Sequence, residues 1–66
     1  MRKATISTSD STECLVDCIS DKGARIHLAA SRELPHEFYI TIEGDGAPLY
    51  CAVARRGRGR IEVYFV

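Results

Sequence analysis

The side chains that could do chemistry are few and unevenly spread. Cysteines stand at positions 14, 18 and 51, histidines at 27 and 36, and Arg55, Arg56, Arg58 and Arg60 crowd together near the C-terminus. Cys14-x-x-x-Cys18 offers two thiolates to a metal, but a closed zinc site takes four nitrogen or sulfur ligands. Neither His27 nor His36 stands in a pair that would complete the set. An odd number of thiols, with no apolar leader over residues 1–20, argues against a disulfide framework. The cysteines therefore read as small apolar core residues of a reduced, cytoplasmic protein. Ser20, His27 and Asp17 can be drawn as a hydrolytic triad, but a triad is defined by geometry and not by spacing along one hairpin. His27 falls on the polar side of an alternating stretch and His36 follows Pro35, so both read as surface histidines. Neither a phosphate-cradling Walker loop nor a dinucleotide fingerprint is present. A non-enzymatic protein with no cofactor and no metal is the expectation.

The arginine cluster is the most exposed hint of function, although an Arg/Gly hairpin reads first as a plain soluble turn. Guanidinium forks bind phosphates and guanine edges in bidentate fashion and stack on bases. If Gly57-Arg58-Gly59 is a hairpin tip, Arg55, Arg56, Arg58 and Arg60 make it a compact basic projection. That opens one functional reading, a small nucleic-acid-binding barrel. Against it, nine Lys and Arg are balanced by nine Asp and Glu, so no net field draws the chain to a polyanion or an anionic membrane.

These residues must be positioned by strands. Apolar residues recur with period two: Cys14, Val16 and Cys18; Ala24, Ile26 and Leu28; Phe38, Ile40 and Ile42; Leu49, Cys51 and Val53; Ile61, Val63 and Phe65. Gly23, expected at positive φ after Ser20-Asp21-Lys22, Gly44-Asp45-Gly46 before Pro48, and Gly57-Arg58-Gly59 mark the turns between them. Ala29–Leu34 has room for at most one short helical turn before Pro35 stops it. Residues 1–10, rich in Ser, Thr and Asp, read as an N-terminal arm that makes no core, flexible or at most a weak strand around Ala4–Ser7. Residues 11–66 form the domain. At 66 residues and 45% hydrophobic, the chain makes one globular domain and no more. So short a chain buries only about 60% of the surface its unfolded state exposes. The economical way to bury five or six apolar rows is to close the sheet, so the fold class is all-β, a small six-stranded antiparallel β-barrel. An edge strand left open would give a route to a homodimer. No apolar run is long enough to insert in a membrane as a helix.

The stretch Leu15-Val16-Asp17-Cys18-Ile19-Ser20-Asp21-Lys22-Gly23-Ala24-Arg25-Ile26 resembles the signature hairpin of the PilZ domain family. That family is a small six-stranded barrel that often serves as a receptor for the bacterial second messenger cyclic di-GMP. Its motif, Asp/Asn-x-Ser-x-x-Gly, has here the form Cys18-x-Ser20-x-x-Gly23. Leu34-Pro35, the alternating Phe38-Ile40-Ile42 strand, the Gly-Asp-Gly turn and the closing Arg60–Phe65 strand are similar as well, so the resemblance runs over residues 12–66. It implies a cytoplasmic signalling module with cyclic di-GMP as the candidate ligand, held by Arg2, Lys3, Ser20 and Gly23.

The departures fall on the ligand anchors. The family's upstream Arg-x-x-x-Arg motif is not made, because the fourth residue after Arg2 is Ile6. Cys18 replaces the acidic or amide anchor and cannot accept hydrogen bonds as a carboxylate does. Charged hydrogen bonds of this kind are each worth about 1.5–3 kcal/mol. The expectation is therefore weak or absent messenger binding and a module that acts through an unidentified protein partner. Exposed Tyr39, Tyr50 and Tyr64 supply the contact surface, since tyrosine is enriched at interfaces.

Overall fold

The computed structural model describes residues 1–28 and 34–66. Six strands follow in chain order: β1 (Arg2–Ser7), β2 (Ser11–Asp17), β3 (Gly23–His27), β4 (Glu37–Ile42), β5 (Leu49–Gly57) and β6 (Arg60–Phe65). They close into an antiparallel barrel in the order β1-β2-β3-β6-β5-β4. The architecture is two three-stranded meanders, β1-β2-β3 and β4-β5-β6, joined along both edges by the β3–β6 and β1–β4 ladders. The short helical turn expected over Ala29–Leu34 falls largely on residues 29–33, outside the described residues.

The period-two rows become the barrel interior. Ile6, Val16, Ile26, Ile40, Ile42 and Cys51 are fully enclosed, and Ala4, Cys14, Ala24, Leu34, Phe38, Val53, Ile61 and Val63 complete the core. Among the described residues no polar or charged residue is buried. β-branched side chains dominate because they pack well on a pleated surface and lose little rotamer freedom there.

Three expectations are corrected. Of the two readings of residues 1–10, the strand around Ala4–Ser7 is the one found, as β1, but it does add to the core: Ala4 and Ile6 are buried, and β1 pairs with both β2 and β4. Two inward-facing residues suffice because ladders on both sides hold the strand, whatever the polarity of its other positions. Cys18 does not continue the apolar row of β2. The strand ends at Asp17, and Cys18 turns the chain at φ 52° with its thiol exposed. Gly23 is not at positive φ; among glycines that conformation belongs to Gly44, Gly46 and Gly59. Each strand is also hydrogen-bonded on both sides, so no whole strand stands as an open edge for dimerisation.

The topology sorts the loops to two ends. One end carries the chain termini, the β2–β3 turn and the β4–β5 turn. The other carries the β1–β2 turn, the β3–β4 connection and the β5–β6 turn. The Ser20–Gly23 motif and the Arg58-Gly59 tip are thus at opposite ends of the barrel.

Candidate functional site

The β2–β3 turn is built by Ser20. Its Oγ accepts hydrogen bonds from the backbone N–H groups of Lys22 (3.2 Å) and Gly23 (3.3 Å), and its own N–H donates to the Gly23 carbonyl (2.9 Å). A serine oxygen that replaces backbone partners in this way fixes a turn without any ligand. Gly23 is required for a different reason. It pairs with Tyr64 on β6, and a Cβ at this position would stand 2.1 Å from the Val63 carbonyl oxygen. The glycine permits close backbone approach of β3 to β6, and beside it and the exposed Tyr64 an open space remains.

That space is a shallow cleft of about 260 Å³ lined by Cys18, Ser20, Lys22, Gly23, Arg25 and Tyr64, with Ala54 and Glu62 at its β5–β6 side. Its cations are Lys22 and Arg25, which the sequence reading did not select. Their signal was present: one is inside the turn motif, the other on the polar side of β3. Ala54 is exposed there because β5 carries an extra residue, the ladder to β6 shifting between Val53 and Arg55. Bulges of this kind bend the strand and re-aim side chains.

Arg2 and Lys3 do not join this cleft. Arg2 has the parity of the inward residues Ala4 and Ile6 and reaches the adjacent β4–β5 turn. Its Nη2 donates to the Glu43 carbonyl (2.6 Å) and to Asp45 Oδ1 (3.1 Å). It ties the chain start to the β4–β5 turn. Lys3 points outward and, with Glu13, Leu15, His27 and Leu28, lines a separate, mostly apolar groove of about 320 Å³ over β1–β3. Of the four residues implied as ligand contacts, Ser20 and Gly23 come together, and the two bases go elsewhere.

The triad geometry does not assemble. Asp17 faces outward, and its Oδ2 lies 3.1 Å from His27 Nε2, close enough for an ion pair when the imidazole is protonated. Ser20 Oγ is directed into its own turn. Among the described residues no three His, Cys, Asp or Glu side chains converge as metal ligands would. Burial pushes the Cys14 thiol up to about 11, and burial together with the nearby Cys14 does the same for Cys51. Both act as apolar residues whose thiols meet the carbonyls of Ala4 and Phe38.

The outer face of β4–β6 is the other distinctive surface. Tyr39 and Tyr50 are directly opposed across β4 and β5, with ring centroids 4.9 Å apart and planes tilted by 58°. Tyr50 donates its phenol proton to Glu37, which raises its pKa. Ala52, next outward on β5, lies between Glu37 and Tyr64 in register and is covered. Tyr39 and Tyr50 thereby form an outward aromatic pair, and the exposed Tyr64, in register with Ala52 and Gly23, stands on the same outer side at the cleft. Compared with models of protein families, with curated proteins and with solved structures, the chain matches none.

Proposed function

We propose that this chain is a non-enzymatic recognition module, a PilZ-like barrel of bacterial signalling that acts through protein contacts and binds cyclic di-GMP weakly or not at all. The observation that carries the reading is the tyrosine surface. Tyr39 and Tyr64 are about half exposed on a closed barrel whose interior is already filled. Aromatic rings with polar tips, held rigid on strands, bind partners at low entropic cost. The described interior is filled by apolar side chains, which favours recognition on the outer faces.

The reading of weak messenger binding is supported by how the anchors are engaged. Arg2 holds Asp45, Ser20 holds its own turn, and the acidic anchor position is a thiol on a left-handed residue. Calorimetric titration of the protein with cyclic di-GMP at near-physiological salt tests it. The expected result is no measurable heat, with or without Arg2→Ala. Micromolar binding that Ser20→Ala or Lys22→Ala removes would overturn this reading in favour of a working messenger site. The contact surface is tested separately by a photo-crosslinking residue at position 39 against one at position 5 on β1. Partner capture at position 39 alone is expected; equal capture at both positions would count against the tyrosine face.

A further inference from the structure

We propose that the outer face carrying Arg55, Arg58 and Arg60 docks an acidic segment of a protein partner; this rests on the protein-contact reading and specifies the partner's chemistry. On β6, Ile61 and Val63 are buried, so Arg60, Glu62 and Tyr64 share the outer side. Arg60 lies opposite His27 on β3 and Gly57 on β5, and Glu62 lies opposite Arg25 and Arg55. One carboxylate is thus set between two guanidinium strands, with a third arginine beside it along β6 and Arg58 at the turn.

The arginines of this barrel are not equivalent. Arg2 is held by Asp45 and Glu43, and Arg56 donates to the Leu34 carbonyl (2.6 Å). The side chains of Arg55, Arg58 and Arg60 are exposed, with no hydrogen bond or ion pair among the described residues. Gly57 places no side chain beside Arg60, and Gly59, at φ 71°, makes the tight turn that brings the two strands' arginines together. Guanidinium forks left open in this way fit carboxylates in bidentate geometry.

Two features favour a protein segment over a nucleic-acid strand. The outward rings, Tyr39, Tyr50 and Tyr64, lie on the β4–β5 face and beside Gly23, so bases would find no stacking platform at the hairpin. Glu62 interrupts the positive row, which penalises a continuous phosphodiester chain more than a few discrete carboxylates. Tyr64 and Arg60 are four residues apart on one strand, about 13 Å at the usual rise. A short extended segment therefore spans both, with apolar side chains against Tyr64 and acidic ones over the arginines.

The test is an amide-shift titration of the isotope-labelled protein with a Leu-Phe-hexaglutamate peptide, its hexaglutamine counterpart and oligo-dT. The glutamate peptide is expected to shift residues 55–60 and Tyr64, the glutamine peptide to leave 55–60 unmoved. The R55A/R58A/R60A variant, its fold checked by retained amide dispersion, is expected to bind the glutamate peptide about tenfold more weakly. Shifts confined to the tyrosines would overturn the inference while leaving the tyrosine-contact reading in place. Tighter binding of oligo-dT at 55–60, with a steep loss in salt, would overturn it in favour of a nucleic-acid surface.

Discussion

At the scale of single residues, the three thiols and the glycines carry the sharpest expectations. Cys14 and Cys51 are enclosed and Cys18 is exposed, so a thiol-specific chromogenic reagent should label one thiol in the native protein. The other two should react only at the rate of unfolding; fast labelling of all three would mean that the core is not closed. The buried pair also sets an alkaline limit. Their folded pKa of about 11 is raised above the unfolded value. The stability they contribute is therefore fully present below the unfolded pKa, near 9.0, and is lost as pH rises through about 11. Each thiol accounts for roughly 2–3 kcal/mol of that loss. Denaturant midpoints measured across this window should fall, and fall less in a Cys51→Ala variant; an equal slope would show that other groups cause it. Gly23 and Gly46 separate two reasons for a glycine. At Gly23 a Cβ meets the Val63 carbonyl, and Gly23→Ala should cost about 3 kcal/mol by forcing the β3–β6 ladder apart. Gly46, at φ 81° with open space around it, pays only the left-handed penalty. Gly46→Ala should cost about 1 kcal/mol. Urea unfolding of the two variants reads the difference directly, and similar costs would mean that strand approach is not what Gly23 serves.

At the scale of elements, β1 decides whether the barrel closes. Its Ile6 is fully enclosed and paired with Thr12 on one side and Ile40 on the other. Ile6→Ala should therefore destabilise by about 2–5 kcal/mol, as much as Ile40→Ala in the middle of β4. Urea unfolding that found Ile6→Ala near neutral would return β1 to the status of a dispensable arm. This strand also shows the limit of the sequence reading. β3 to β6 were legible because alternation over three apolar positions, most of it next to a glycine-containing turn, states both the period and the buried side, and β2 shows the same alternation with Cys18 as its third member. β1 has only Ala4 and Ile6 between polar neighbours, and local pattern could not report the two ladders that flank it. Cys18 failed for the complementary reason: its period fits β2, but the Ser20 turn begins one residue early and rotates it out. The cleft was half legible. Ser20 and Gly23 belong to one turn and can be read from spacing, whereas Lys22 and Arg25 meet Tyr64 only through the β3–β6 register. The tyrosines were legible as three outward positions, whereas the pairing of Tyr39 with Tyr50 required the β4–β5 register.

At the scale of the whole molecule, the two meanders cannot stand apart. Each has one apolar face, and a three-stranded sheet of this length buries that face only against the other half. The sequence-local hairpins β1–β2, β2–β3, β4–β5 and β5–β6 can form early, but the β3–β6 and β1–β4 ladders join residues far apart in the chain. Closure entropy must be overcome before those contacts stabilise anything, which places folding among the slower small domains. Partly closed forms would expose the whole interior row of one meander, so they should not accumulate at equilibrium. A domain of 66 residues has a total stability of about 3–10 kcal/mol, and a single large core deletion is a sizeable share of it. Unfolding should therefore be one cooperative transition, with far-ultraviolet dichroism and tyrosine fluorescence superimposing. Tyr39 and Tyr50 report on the β4-β5-β6 meander, while backbone dichroism reports on both halves. Ile6→Ala, in the first meander, should move the tyrosine signal of the second by the same shift in midpoint. If the tyrosine transition stayed in place while the dichroism moved, the halves would be separately stable, and the closed barrel would not be the folding unit that positions the tyrosine and arginine faces on one surface.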